Sequence, residues 1–249
     1  MIRPCTIVIP CYNEEARFPL DHFTSFVDAN PSIRFLLVND GSKDNTIDVL
    51  RRATAGREDQ VGVIDQPRNG GKGEAVRSGI LAAIQQQGCL YAGFWDADMA
   101  TPLNLIPELM GILAAQPRVA MVFGARVKLL GRHVERRAIR HYLGRIFATV
   151  VSVTLRLPIY DTQCGAKIFR VSETTAELFA EPFCSRWVFD VEIIARFIRQ
   201  RGYDIASVEK SIYEFPLPEW RDVAGSRVKP QDFFRAFFDV LQIYRRYHP

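Results

Sequence analysis

Phe94-Trp95-Asp96-Ala97-Asp98-Met99-Ala100-Thr101-Pro102 is the stretch on which the reading of the chain turns. The residues before it, Gly88 to Gly93, are mainly apolar, and a polar turn punctuated by proline follows it. A buried strand running out into a loop has this pattern. In an extended backbone, residues two apart face the same way, so Asp96 and Asp98 point together at the end of the strand. Two close carboxylates repel unless a cation sits between them, and a hard divalent ion with oxygen ligands, Mg2+ or Mn2+, meets that need. Such an ion keeps coordination positions open for substrate phosphates. A lone Asp-x-Asp also matches by chance, and these two residues read equally as loop aspartates capping a helix that starts near Pro102. The surrounding segments decide between the two.

Upstream, the same strand-then-loop pattern recurs. Thr6–Pro10 is a β-branched run ended by proline, followed by the loop Cys11-Tyr12-Asn13-Glu14-Glu15, with Asn13 a candidate helix N-cap and acids in the first turn. Ile33–Val38 is a second strand; it ends in Asn39-Asp40-Gly41-Ser42, and a helix begins at about Thr46. Gly62–Asp65 is a third, followed by the turn Pro67–Gly73 and a helix over Glu74–Gln87; Tyr91–Trp95 is the fourth. Strands alternating with helices mean βαβ units and a mostly parallel sheet, in which ligands bind beyond the carboxyl ends of the strands. Tyr12, Asp40, Lys72, Asp96 and Asp98 all fall there. Gly71-Lys72-Gly73 is not a P-loop, since no Ser or Thr follows the lysine, and it follows the third strand rather than the first, where a dinucleotide fingerprint belongs.

The chain has 249 residues, 48% hydrophobic and 24% charged, enough for one large core. A formal charge of +4 excludes a chain built throughout as a polyanion binder. Five cysteines without a Cys-x-x-Cys pair fit reduced thiols in a cytoplasmic protein. The opening Met-Ile-Arg-Pro-Cys-Thr leads straight into a strand, so no signal peptide is expected, and no apolar run of about 18 residues suggests a membrane span.

Taken together, Ile9-Pro10-Cys11-Tyr12-Asn13-Glu14-Glu15, Val38-Asn39-Asp40-Gly41-Ser42-x-Asp44-x-Thr46, Gly71-Lys72-Gly73-x-Ala75 and Asp96-Ala97-Asp98 resemble the family 2 glycosyltransferases, whose GT-A fold binds nucleotide sugars. Asp161–Phe169, Arg186–Glu192, Asp98–Thr101 and Glu219-Trp220-x-x-Val223-x-Gly225-Ser226-Arg227-Val228 are similar to the dolichyl-phosphate β-glucosyltransferase branch. Eukaryotic members carry an N-terminal membrane anchor, which is not expected here. The related polyprenol-phosphate mannose synthases tend to have Gln as a metal ligand where this chain has Ala100, which favours the glucosyl branch.

The resemblance implies one GT-A domain over 1–249, with a nucleotide-sugar half (1–125) and an acceptor half (126–249). It implies that Pro10, Tyr12, Glu14, Asp40, Lys72 and Asp96 hold the nucleotide sugar: Asp40 the base, Tyr12 packed against it, Glu14 the ribose. Asp98, with Asp96, would hold Mg2+ or Mn2+. Arg126 follows the strand Val119–Gly124 and matches the family's Gly-Ser-Arg; Arg140 lies about where the family binds an acceptor phosphate. The arginine fork suits phosphate, although a basic run such as Arg126–Arg145 is also what a solvated face looks like. Asp190 falls where many members place a general base, but a lipid phosphate is already ionised and needs none, so Asp190 would orient cationic side chains or sugar hydroxyls. It equally suits an N-cap for a helix over Val191–Ile198.

Ile146–Leu157 and Phe233–Tyr247 are too short to span a bilayer but suit amphipathic helices lying in its surface, or helices packed on the chain's own core or on a second copy in a homodimer. The implied activity is an inverting transfer of a hexose, glucose ahead of others, from UDP to a polyprenyl (dolichyl-like) phosphate at the cytoplasmic membrane face. The alternatives are GDP-mannose as donor, a glycan hydroxyl as acceptor, or a catalytically silent sugar-nucleotide-binding protein. Nucleic acid is excluded as a partner because aromatics other than histidine are not interleaved through Arg132–Arg140.

Overall fold

The computed structural model describes residues 4–135, 138–221 and 230–247, with side chains described at 4–134, 143–221 and 235–247. The strands are β1 (Cys5–Cys11), β2 (Ile33–Asn39), β3 (Val61–Asp65), β4 (Tyr91–Trp95), β5 (Met121–Ala125), β6 (His133–Glu135), β7 (Ala166–Arg170), β8 (Ile212–Pro216) and β9 (Glu219–Arg221). The helices are α1 (Leu20–Ala29), α2 (Thr46–Thr54), α3 (Lys72–Ile84), α4 (Ile106–Ala115), α5 (Ala138–Leu155), α6 (Glu173–Ala180), α7 (Phe189–Gln200), α8 (Ile205–Ser211) and α9 (Pro230–Tyr247).

Seven strands form one sheet in the order β3-β2-β1-β4-β7-β5-β8, and β6 pairs with β9 in a small separate ribbon. All pairs in the large sheet are parallel except those of β7, which runs against both β4 and β5. Strand alternation gives each face its own core. Ile7, Ile9, Phe35, Leu37, Trp95 and Ile168 pack under α1, α2 and α4. Val8, Leu36, Val38, Phe94 and Phe169 pack under α3, α6 and α7, with α5 and α9 on the same side. Burial on both faces explains why these strands read as continuous apolar runs.

The reversed strand matters for function. Parallel β1, β2, β4 and β5 deliver the residues after Cys11, Asn39, Trp95 and Ala125 to one edge. An antiparallel neighbour brings its beginning to that edge: Ala166 pairs with Trp95. Asp161–Gly165, which precede β7, therefore arrive beside Asp96 and Arg126.

Two expected helix caps are corrected. Asn13 does not cap a helix: it sits in a turn at φ 48°, its amide donates to Ser42 Oγ (2.9 Å) and its side-chain carbonyl accepts from Lys43 N (2.8 Å). The helix starts only at Leu20, after Pro19. Proline disfavours helical geometry in the residue before it, which keeps Phe18 outside the helix. Asp190 is not a cap either, because α7 begins one residue earlier, at Phe189.

Candidate active site

Asp96 and Asp98 leave the end of β4 through a turn in which Met99 takes φ 50° and its amide returns to Asp96 O (3.0 Å). Asp98 Oδ1 accepts from Ala100 N (3.1 Å). Lys72, the first residue of α3, places its Nζ 2.5 Å from Asp96 Oδ1. These two side chains stay 24% and 36% exposed, so the pair lines a cleft that a ligand can enter. Arg17 Nη2 approaches Asp98 Oδ2 at 3.7 Å.

The carboxylates differ in charge balance. Burial pushes the Asp96 carboxyl up, but Lys72, then Arg126 and Lys167, outweigh it and hold the group below the usual range. Asp98 is pushed above that range by burial and by the charge of Asp96, with Lys72 and Arg17 only partly opposing. Burial depresses Lys72, yet Asp96 and Asp190 together raise it.

Arg126 follows β5 and is gripped by Asp161: Nε donates to Oδ2 at 2.6 Å, Nη2 to Oδ1 at 2.8 Å, and the Arg126 amide to Oδ2 at 3.1 Å. This fork fixes the guanidinium plane. Its other face lies 5.4 Å from the Trp220 ring. Asp161 is itself set by Glu214, whose carboxylate accepts from the amides of Tyr160 and Asp161 (2.8–3.0 Å).

Beneath the cleft, Lys167 is 1% exposed on β7. Its Nζ lies 2.6 Å from Asp190 Oδ1 and donates to Cys164 O at 2.5 Å. The ammonium also lies 5.3 Å from the rings of Phe94 and Phe123. Burial raises the Asp190 carboxyl, and Lys167 and Lys72 oppose this. Asp190 is therefore a counter-charge to lysines below the site floor.

Asp40 is 2% exposed. Its carboxylate accepts from Asn69 Nδ2 (2.9 Å), Gly70 N (2.6 Å) and Gly71 N (2.9 Å). As placed, it shapes the loop that forms the cleft wall. Burial raises its carboxyl, against those amide bonds. Pro10, Tyr12 and Glu14 lie at the end of β1 and in the loop after it, and the Glu14 amide donates to Thr46 Oγ1 (2.7 Å). The structure thus brings Lys72, Asp96, Asp98, Arg126 and Asp190 into one electrostatic cluster. The side chain of Arg140 lies outside those described, as do Val223, Gly225, Ser226, Arg227 and Val228.

Arg17, Asp161 and Lys167 join this cluster although none was named as a site residue from the sequence. A lysine inside the apolar run Ala166-Lys167-Ile168-Phe169 was a usable signal for Lys167. Asp161 entered only as the first residue of the segment similar to the glucosyl branch, with no role attached, and its partner lies 35 residues away.

Among the described residues, no group of three or more His, Cys, Asp and Glu side chains could hold a metal ion. Two hard carboxylate donors with an unbalanced charge at Asp98 nevertheless fit a divalent cation that takes its remaining ligands from phosphate oxygens and water.

The sheet order, the carboxylate pair at its crevice and the flanking cations define an α/β enzyme of the GT-A type. A solved structure with the same fold is glucosyl-3-phosphoglycerate synthase from Mycobacterium tuberculosis in complex with Mn2+, UDP-glucose and phosphoglyceric acid, at TM-score 0.67 and 18% identity over 98% of this chain and 80% of that one. Residues 6–174 match the model of glycosyl transferase family 2, and the chain belongs to that family. It is a glycosyltransferase. Among its relatives, dolichyl-phosphate beta-glucosyltransferase ALG5C of Trichomonas vaginalis is 32% identical over 96% of this chain and 70% of its own length. The Homo sapiens dolichyl-phosphate beta-glucosyltransferase is 31% identical over 97% of this chain and 75% of its own.

Proposed function

We propose that this chain transfers a hexose, glucose in the first place, from a UDP-sugar to a polyprenyl phosphate, with inversion at the sugar carbon. The observation that carries the reading is the Asp96–Asp98 pair at the sheet crevice, flanked by Lys72 and Arg126, in a chain whose relatives bear the name dolichyl-phosphate beta-glucosyltransferase. In this reading 1–125 forms the donor half and 126–249 the acceptor half.

Pro10, Tyr12 and Glu14 line the nucleoside end, and Asp40 holds the wall against which the base rests. Asp98, with Asp96 beside Lys72, would hold Mg2+ or Mn2+. A bound cation would neutralise charge on the leaving diphosphate. Lys72 supplies a second positive charge at the same phosphates. Arg126, held in orientation by Asp161, meets the acceptor phosphate together with Arg140. An acceptor phosphate oxygen attacks the sugar carbon from the side opposite the diphosphate, and the bond from that carbon to the diphosphate oxygen breaks. The nucleophile is already ionised, so no side chain has to remove a proton. Asp190 keeps the lysines in place.

A lipid acceptor requires the chain to work at a membrane. Among the described residues no helix is long and apolar enough to cross one. Yet Leu143, Ile146, Val150 and Val153 form an exposed stripe on α5, and Phe238, Leu241 and Tyr244 one on α9, where Arg245 and Arg246 are exposed too. Phe147 and Phe237 pack the two helices together, with ring centroids 5.8 Å apart. Apolar residues beside arginines fit the surface of an anionic bilayer, here its cytoplasmic face. A second copy of the chain is the other occupant this surface suits.

The test is to incubate the purified chain with UDP-glucose, Mn2+ or Mg2+ and a polyprenyl phosphate, and to follow lipid-extractable sugar. Transfer that disappears in Asp98→Ala supports the reading. UDP binding with no lipid product from UDP-glucose, UDP-GlcNAc or GDP-mannose overturns the acceptor assignment.

A further inference from the structure

The loop that carries Lys72 into the site is gripped from two sides. Asp40 takes its N–H groups, as described. Arg186 takes its carbonyls: Nη2 donates to Asn69 O (2.7 Å) and Asn69 Oδ1 (2.8 Å), and Nε donates to Gly70 O (2.9 Å). A carboxylate on the amide side and a guanidinium on the carbonyl side hold the same peptide groups between them, with charge-assisted bonds throughout. Gly71 stands at φ +92°, and a Cβ there would come within 2.8 Å of Arg186 Nε. The Arg186 carbonyl accepts from Gly73 N at 3.2 Å, in the first turn of α3.

Arg186 has a second anchorage, in α9. Ser185 is 4% exposed. Its hydroxyl accepts from Trp187 N (3.2 Å) and Val188 N (2.9 Å) and donates to Asp239 Oδ2 (2.5 Å). One proton and two lone pairs are all a hydroxyl has, so the group is saturated. Just upstream, Cys184 N donates to Glu192 Oε2 (2.7 Å), and Glu192 Oε1 accepts from Arg196 and from the Tyr247 hydroxyl in the last turn of α9 (2.8 Å each). The segment Cys184–Val188 is thus tied to α9 on one side and to the Asn69–Gly71 loop on the other.

We propose that Arg186 is a positioning residue for the nucleotide, acting through Asn69–Gly71, and that α9 sets Arg186 through Asp239 and Ser185. The proposal rests on the nucleotide-sugar reading of the cleft. Arg186 makes its contacts with loop atoms, and the loop in turn fixes Asp40 and the start of α3 from which Lys72 reaches Asp96. Loss of the Asp239 carboxylate leaves the Ser185 hydroxyl without its acceptor, the turn relaxes, and the arginine fork loses its aim. Donor affinity falls while acceptor affinity holds. The helix with an exposed apolar face is therefore also the brace of the donor loop.

The test uses the full chain as wild type, Arg186→Gln, Arg186→Lys and Asp239→Ala. UDP is titrated calorimetrically in Mn2+, and amide hydrogen exchange is followed across 69–73. In Arg186→Gln the UDP Kd rises roughly ten-fold or more, the order expected for losing a charge-assisted hydrogen bond. Arg186→Lys does not restore it, because an ammonium lacks the fork. Asp239→Ala raises the Kd in the same direction. In all three variants exchange quickens at Gly70, Gly71 and Gly73 while β1 and β4 stay as protected as in the wild type. The KM for donor rises and the KM for acceptor does not, a split that general destabilisation would not produce. Folded variants with wild-type UDP affinity and wild-type exchange overturn the proposal. Faster exchange in Arg186→Gln with none in Asp239→Ala overturns the role of α9 and keeps that of Arg186. A wild-type chain that binds no UDP overturns the nucleotide reading itself, and the exchange data still decide whether the loop is braced as described.

Discussion

A methyl group on Gly165 would overlap the carboxylate of Asp96, and the Gly165 carbonyl accepts a hydrogen bond from the Asp96 amide at 2.9 Å. The residue immediately before β7 therefore fixes both the backbone and the side chain of the first aspartate. Gly165→Ala forces Asp96 to move. A shift of about 1 Å at a reacting site costs on the order of 100-fold in rate, and kcat/KM should fall by about that much. Steady-state kinetics on a variant with a wild-type near-UV spectrum checks this. Near-normal turnover would show that Asp96 has slack.

Asp98→Asn keeps the shape of the site and removes the charge a cation needs. Mn2+ binding, followed by the paramagnetic signal of the free ion, should drop beyond detection in the variant. Chelation of the metal should abolish transfer in the wild type. Mn2+ should raise the Tm of the wild type and leave that of the variant unchanged.

The raised carboxyl of Asp98 carries a pH signature. In the native state it holds its proton above the ordinary range near 3.8, so the native state binds more protons than the unfolded state between that value and its own folded pKa. Stability then falls as pH rises through that window. Asp98→Asn removes the repulsion with Asp96, so in the absence of metal it should be more stable than the wild type above the window and lose the advantage below it. Thermal unfolding across pH 3.5–7, a range spanning ordinary and raised carboxylate values, measures the difference; an advantage that grows towards acid would contradict the assignment.

Lys167→Met leaves Asp190 buried without its nearest counter-charge. Breaking one side of a buried pair costs about 3–5 kcal/mol, whereas replacing both sides is far milder. Urea unfolding should show that loss in Lys167→Met and recover most of it in Lys167→Met with Asp190→Leu. The double variant should fold and stay inactive if Asp190 and Lys167 also tune Lys72.

Leu241→Ser and Phe238→Ser should weaken sedimentation with anionic vesicles, and Arg245→Glu should weaken it further at low salt. Each arginine near such a surface contributes about 1 kcal/mol. Binding that ignores both lipid charge and these substitutions would assign the α5–α9 face to a second copy of the chain instead.

The part of the fold from β1 to β5 was legible because its signals are local. Asp40 and Asp96 each follow an apolar run, and a run of that kind in a parallel sheet has one geometric meaning. Strand bounds agree to within a residue at β2 and β3, and α2 begins at Thr46 as expected. The helix expected over Glu74–Gln87 spans Lys72–Ile84, since Gly71 at positive φ opens it earlier. The strand expected over Val119–Gly124 is shifted to Met121–Ala125. What stayed hidden depends on β7. Its direction has no mark in the sequence, and Asp161 with Arg126, Lys167 with Asp190, and Gly165 with Asp96 are pairings that exist only once the strand is turned round. Arg186 was hidden for another reason: it reaches back 116 residues to Gly70.

The turned strand also limits how the chain can vary in length. Side chains in a strand alternate, so one residue gained or lost between Asp161 and Arg170 would swing Lys167 from the Phe94 face to the opposite core, where Ile168 now sits. The same slip would carry Gly165 away from Asp96 and Asp161 away from Arg126. Tyr160 and Val171 flank the constrained segment, their amides bonded to Glu214 Oε1 (3.0 Å) and Leu90 O (2.8 Å). Between them, ten residues act as a ruler whose divisions meet three charged groups at once, and a ruler can be replaced mark for mark but not lengthened.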